Sequence, residues 1–126
     1  MEIRVYYEDT DCGNVVYYAN YLKYFERART EYMNERGIDL KRYHEDGIFF
    51  VVASVHVNYR SPARYGETII VDAWISETSR VSFTFQYKIT EKQTKRLIVE
   101  GDTKIVLVDT KMKPVRLDEE ILTKLK

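Results

Sequence analysis

The chain has 126 residues, 20 of them basic and 20 acidic, so its formal net charge is zero. That neutrality excludes the basic footprint on which bulk nucleic-acid binding rests, and no apolar run approaches the roughly 20 residues that span a bilayer. Cys12 is the only cysteine, which excludes an intrachain disulfide.

The length suits one domain covering 1–126. A domain of this size buries roughly 65–70% of its unfolded surface and needs neither a disulfide nor a structural metal for its core. The start, Met1-Glu2-Ile3-Arg4, does not resemble a signal peptide. With the lone cysteine it leads us to expect a reducing, cytoplasmic location. Tyrosine is frequent, at 11 residues; its apolar body and polar tip suit pockets, interfaces and strand surfaces alike.

Residues 2–7 alternate Ile3, Val5 and Tyr7 and predict a first strand. Asp9, Asp11, Gly13 and Asn14 give residues 8–14 turn chemistry. From Ala19 to Arg36 the spacing becomes helical, with Tyr21, Phe25, Ala28 and Tyr32 on one stripe beside Leu22 and Met33. Gly37 then sits where a left-handed residue ends a helix. Residues 39–46 predict a short second helix capped by Asp39.

Four strands follow. Phe49–Tyr59 sets Val51, Ala53, Val55, Val57 and Tyr59 against Val52, Ser54, His56 and Asn58. Thr68–Ser76 sets Ile69, Val71, Ala73 and Ile75 against Asp72 and Trp74. Val81–Thr90 sets Val81, Phe83, Phe85, Tyr87 and Ile89 against polar residues. Arg96–Asp109 places Leu97, Val99, Gly101, Ile105 and Leu107 together. The spacers at 77–80 and 91–94 fit antiparallel hairpins. Pro114 ends the last strand, and Asp118 caps a terminal helical turn through Ile121 and Leu122. The order gives an α+β fold, one antiparallel sheet with one dominant helix. Half-polar strands bury one face each. Val52, Trp74, Val106 and Val108 fall on the other face, and bare sheet edges are a liability. Both features predict a homo-oligomer, with dimers joining sheets edge to edge.

The opening stretch holds the candidate chemistry. Asp9 and Asp11 precede a helix start near Tyr17–Ala19. A helix N-terminus offers unpaired N–H groups and partial positive charge, which polarise a carbonyl as an oxyanion hole does. A carboxylate held there attacks the carbonyl or serves as general base on water. The same two aspartates also suit an Asx turn or a cap, and the residues alone leave both readings open. Cys12 with His44 or His56 as base is a weaker candidate, since a lone cysteine more often acts as a small apolar group. Glu26, beside Arg27 and Arg29, suits an ion pair. Arg60, Arg64 and Arg80 form a basic group that is either a solvated face or an anion site. Metal-ligand spacings and phosphate-cradling glycine loops are absent, so no metal or cofactor is expected.

The run YEDTDCGNVVYYANYLKYFERAR, Tyr7 to Arg29, resembles the signature of hot-dog-fold acyl-CoA thioesterases. The 4-hydroxybenzoyl-CoA thioesterase family and its Tol–Pal-associated relatives are the nearest groups. The stretch Arg80–Phe83 and the segment VDTKMKPVR near the end extend the resemblance from Ile3 to about Arg116. It implies a hot-dog fold, a long central helix wrapped by a five-stranded antiparallel sheet. It also implies dimers with a continuous ten-stranded sheet, often paired into a homotetramer. The implied activity is hydrolysis of an acyl-CoA to a carboxylic acid and free coenzyme A. The substrate then carries the coenzyme, and an acyl-carrier protein is an alternative carrier.

By this resemblance Asp11 aligns with the catalytic carboxylate, and Tyr18 with the residue whose backbone N–H polarises the thioester. Many Tol–Pal relatives have histidine at the Tyr18 position. Substrate and coenzyme contacts are implied at Val16, Tyr17, Asn20, Tyr21, Arg60, Ser61, Arg80 and Ser82, with Lys111 and Lys113 nearby. Another hot-dog branch uses a helix glutamate, which brings Glu26 into view. A hydratase or dehydratase on the same fold, which needs a histidine paired with a carboxylate, and a non-catalytic acyl-CoA or acyl-carrier-protein binding module are the alternatives.

Overall fold

The apolar spacing after Ala19 produces a 16-residue helix, α1 (Asn20–Glu35), about 24 Å long. It ends as Gly37 predicts. Gly37 has φ +73°, its N–H donates to Asn34 O, and Ile38 N–H donates to Met33 O, the paired bonds of a Schellman stop. The computed structural model describes residues 1–126. The remaining elements are β1 (Glu2–Arg4), α2 (Leu40–Glu45), β2 (Phe49–Tyr59), β3 (Thr68–Thr78), β4 (Ser82–Glu91), β5 (Leu97–Val108) and α3 (Glu119–Leu125). Asp39 caps α2 by accepting from Lys41 and Arg42 N–H, and Asp118 caps α3 by accepting from Ile121 N–H.

The five strands form one sheet in the order β1-β3-β4-β5-β2, and each neighbouring pair is antiparallel. The helix lies on one face. Tyr21, Tyr24, Phe25, Ala28 and Met33 of α1 are buried against Val71, Phe83, Phe85, Tyr87, Ile105 and Leu107 of the sheet. Phe25 stacks on Tyr87 with ring centroids 4.1 Å apart and planes 6° apart. Gly101 allows that approach. A Cβ there would stand 2.7 Å from His56 O and 2.9 Å from Phe25 Cε2.

Several expectations change in detail. The first strand stops at Arg4 rather than residue 7. Val5 N–H bonds Glu67 O, and Tyr7–Asp9 turns as a single 3-10 loop held by Tyr6 N–H donating to Asp9 Oδ2 at 2.9 Å. The pairing registers skip one residue each at Ala53 in β2, Ser76 in β3 and Ile98 in β5. These are β-bulges, which add a residue to one strand and break alternation locally.

The bulge at Ala53 moves Val52, not Val51, onto the helix side opposite Ile105, while Val55, Val57 and Tyr59 stay there as expected. The bulge at Ile98 pairs Leu97 with Thr90, away from the Val99 face. Of the four apolar residues expected on the outer face, Val52 lies inward. Val108 is covered, at 4% exposure, where it bridges Pro114. Trp74 remains exposed among the polar pairs Asp72–Lys88 and Lys88–Glu100. No helix is long and apolar enough to cross a membrane.

Candidate active site

Asp11 stands in a tight loop closed by the Thr10–Val16 bridge and by Asp11 N–H donating to Val15 O at 2.9 Å. Its Oδ1 accepts Gly13 N–H at 2.8 Å, an Asx-type turn. Asn14, at φ 61°, completes the reversal. Oδ2 carries no hydrogen bond, and the side chain is exposed. The turn reading and the reactive reading are thus compatible: one oxygen fixes the carboxylate and the other faces out.

The loop is stitched to two neighbours. Val16 N–H donates to Ala63 O at 2.8 Å, and Tyr65 N–H to Asn14 O at 3.1 Å. On its other side the Asp9 carbonyl accepts both Tyr17 N–H at 3.0 Å and the Asn20 Nδ2 amide at 2.9 Å. Asp9 therefore ties the Asp11 loop to the start of α1. The helix has Ala19 at its N-cap and no side-chain cap. The N–H groups of Tyr18 and Ala19, just ahead of the first helical residue, donate to no protein acceptor, at the end of a helix where partial positive charge collects.

A cavity of ≈ 330 Å³ lies beside these amides, walled by Val16, Tyr18, Tyr21, Tyr59, Ser61 and Pro62. Tyr59 O–H reaches Tyr18 O at 3.4 Å, and the Tyr18 and Tyr59 rings meet edge to face. Tyr21 is buried, and its hydroxyl accepts Ala63 N–H at 3.1 Å. Burial pushes the Tyr21 phenol above its ordinary pKa, so the group stays neutral in the wall. Arg96 braces the segment 60–67: its Nη2 bonds Glu67 Oε1 at 2.9 Å and Pro62 O at 3.0 Å, and its Nε bonds Ser61 Oγ at 3.2 Å.

The sequence-expected residues divide into two groups. Asp11, Val16, Tyr17, Tyr18, Asn20, Tyr21, Arg60 and Ser61 gather around the loop and cavity. Ser61 Oγ is already committed to Leu97 O, and Arg60 reaches Glu100 at 3.4 Å.

Within one chain Arg80 and Ser82 do not join them. Ser61 N–H bonds Ile98 O while Ser82 pairs with Val106, so about eight residues of β5, roughly 26 Å, separate the two ends. Ser82 is also buried and bonded to Ser79 Oγ. Lys111 and Lys113 sit at that far end too, in the turn organised by Asp109. His44 lies against Phe49 at the start of β2. His56 points to the outer face, bonding Asp102 at 3.0 Å. Neither therefore serves Cys12, which is an exposed free thiol. Glu26 makes no ion pair and instead lines a separate groove with Leu22, Arg29, Val52 and Val55. Tyr59 and Arg96 were not singled out from the sequence. The inward phase of β2 was the available signal for Tyr59, whereas nothing local marks Arg96.

A family model for the thioesterase-like superfamily matches residues 5–125. The acyl-CoA thioester hydrolase YbgC of Escherichia coli is 35% identical over 125 residues, covering 98% of this chain and 92% of that protein. The chain belongs to the thioesterase-like superfamily. Its architecture matches that family's solved members. A 1,4-dihydroxy-2-naphthoyl-CoA thioesterase from Synechocystis superposes with a TM-score of 0.93 at 22% identity, over 99% of this chain and 93% of that one. A mutant 4-hydroxybenzoyl-CoA thioesterase complexed with 4-hydroxybenzoyl-CoA gives a TM-score of 0.91 at 18% identity, over 100% and 96% of the two chains. At those identities the likeness establishes the fold, which is the hot-dog fold.

Proposed function

We propose that this superfamily member is an acyl-CoA thioesterase in which Asp11 is the catalytic carboxylate and the Tyr18 and Ala19 amides receive the thioester oxygen. The observation that carries this reading is the pair of unpartnered N–H groups at the start of α1, held against the Asp11 loop through the Asp9 carbonyl. Donors fixed where negative charge develops stabilise a tetrahedral intermediate without reorganising. As general base, Asp11 takes a proton from water while the water oxygen forms the new C–O bond. The C–S bond then breaks, and the coenzyme A thiolate leaves and takes up the proton. As nucleophile, Asp11 attacks the thioester carbon and expels the coenzyme A thiolate to leave a mixed anhydride, which water then hydrolyses to the acid and free Asp11 while the thiolate takes up the released proton. Both routes use a main-chain donor, so tyrosine in place of histidine at position 18 is compatible with either. The hydratase alternative needs a histidine–carboxylate pair in the cavity, and the His56–Asp102 pair lies on the opposite face of the sheet.

The reading includes a homodimer joined along β2, with further pairing to a homotetramer. β2 is an edge strand, and Leu22, Val52 and Val55 stand exposed along it. Light scattering should give a dimer or tetramer for the wild type and a smaller species for Val55→Lys; a wild-type monomer contradicts it.

Thiol release across short, long and aromatic acyl-CoAs, and from the corresponding acyl-carrier-protein thioesters, tests the activity and the carrier together. Asp11→Asn keeps an oxygen to accept Gly13 N–H, so the loop should persist while turnover falls about 10²–10⁴-fold. A variant that retains the wild-type rate removes Asp11 from the chemistry. Tight acyl-CoA binding without thiol release from the wild type would instead favour a binding module.

A further inference from the structure

The sheet has a second open edge, at the end away from β2. β3 runs for 11 residues, but β1 is only 3 long and pairs with Thr68, Ile69 and Ile70. Met1 extends that pairing by one step: its ammonium donates to Val71 O, and its carbonyl accepts Val71 N–H. Beyond it no strand lies beside Ala73–Thr78, about 20 Å of strand. Alternate residues of an antiparallel strand turn their N–H and C=O groups to the same side. Val71 faces β1, so the backbone groups of Ala73 and Ile75 point out from the edge. A dimer along β2 leaves this edge free at either end of the joined sheet.

The surroundings select what pairs there. On the helix side, Ala28, Glu31, Tyr32 and Glu35 of α1 face Val71 and Ala73 across a notch of ≈ 160 Å³. On the outer side, the exposed residues Asp72, Trp74 and Glu77 follow one another, opposite Lys88, Gln86 and Thr84 of β4. Glu31, Glu35, Asp72 and Glu77 take part in no ion pair, Lys88 included. Of the other nearby cations, the Met1 ammonium is bonded to Val71 O, and Arg36 lies over the Tyr32 ring. A second copy docked through the same edge would bring two such acidic flanks together, and like charges oppose that. We infer that the Ala73–Thr78 edge takes an extended basic segment of another protein, added as a strand in line with β1. Its backbone pairs with Ala73 and Ile75. Its apolar side chains face the helix side, where one enters the notch. Its lysine or arginine side chains face Asp72, Glu77 and the Trp74 ring. The inference is independent of the thioester chemistry at Asp11.

Trp74 is the only tryptophan and lies on this edge, so its fluorescence reports occupancy directly. The probe is a short capped peptide of alternating lysine and valine. Titrated into the wild type, it should shift the tryptophan emission to the blue and saturate. The same peptide with proline in place of its valines keeps the charge but loses the N–H groups that face β3, and it should bind at least about tenfold more weakly. Asp72→Asn with Glu77→Gln removes two exposed charges and should weaken the lysine–valine peptide about tenfold. Ala73→Pro removes one outward N–H while leaving the β4 ladder intact, and it should weaken the peptide as well; if that variant does not fold, the charge variant decides. No saturable shift in the wild type, equal binding of the proline peptide, or wild-type affinity in the charge variant overturns the inference. A smaller species for Ala73→Pro than for the wild type in light scattering would give the edge to a second copy, and would overturn it too.

Discussion

Gly101→Ala is the most demanding test of how α1 is seated. The added methyl would lie 2.7 Å from His56 O and 2.9–3.0 Å from two atoms of the Phe25 ring. His56 O is main chain in the paired strand β2, so relief there requires β2 and β5 to part locally. Phe25 must also slide off Tyr87, whose ring it overlaps at 4.1 Å. Overpacking of a dense core costs about 1–3 kcal/mol, and two simultaneous obstacles, one of them backbone, place this substitution near the top of that range. Alanine recovers about 0.5–1 kcal/mol by restricting the unfolded chain, which leaves about 2 kcal/mol of net destabilisation. At about 4 °C per kcal/mol for a chain of this size, the melting temperature should fall about 8 °C. Thermal unfolding followed by circular dichroism measures it, and Phe25→Leu supplies the control. In that background the ring's share of the obstruction is gone, so Gly101→Ala should cost less. A melting temperature within about 2 °C of wild type would refute the packing argument; equal costs in both backgrounds would clear Phe25 and leave only the strand contact.

Three further tests probe buried polar groups. The Thr94 N–H, and next its hydroxyl, hold the Glu91 carboxyl below its ordinary pKa; a depressed carboxyl stabilises above its unfolded pKa of about 4.3 and loses that contribution as pH falls through the folded value. The stability gap between wild type and Glu91→Gln should therefore be present at neutral pH and close on acidification below about pH 4; a gap that persists at low pH assigns it to something other than charge. Tyr87 O–H pairs with buried Thr103 at 2.6 Å, so Tyr87→Phe should cost about 1–3 kcal/mol in urea unfolding by orphaning that threonine. Tyr24 O–H has no partner, so Tyr24→Phe should be neutral or stabilising, and a loss as large as that of Tyr87→Phe would show that this hydroxyl is bonded.

Much of the fold was legible because local chemistry marked it. Gly37 ended α1, and Asp39 and Asp118 capped their helices. The alternation of Phe83, Phe85, Tyr87 and Ile89 fixed the inner face of β4. The bulges were not legible, since Ala53 and Ile98 carry no compositional sign that one strand counts an extra residue, and the phases of Val52 and Leu97 failed for that reason. Within the site, the acidic turn and helix start are neighbours in sequence and could be read together. Whether Arg80 and Ser82 stand near Asp11 depends on strand register across the whole sheet, which short patterns do not encode. Unpaired N–H groups were expected at the helix start near Tyr17–Ala19, and the resemblance singled out that of Tyr18, but the exact pair left free was not legible because capping is settled only in the folded chain.

The three bulges have a geometric consequence for the sheet as a whole. Remove Ala53 from β2 and the strand would alternate without interruption, Phe50, Val52, Val55 and Val57 all still facing α1. The residue is therefore surplus to side-chain placement; what it supplies is length on one side of a ladder. Ser76 and Ile98 do the same on two other strands. A ribbon lengthened along some lines and not along their neighbours cannot lie flat, so the sheet coils into a sleeve. Deleting Ala53 or Ser76 should spare the hydrophobic pattern while unrolling the sleeve from the helix it encloses, whereas deleting Ile98 would also remove a fully buried core side chain.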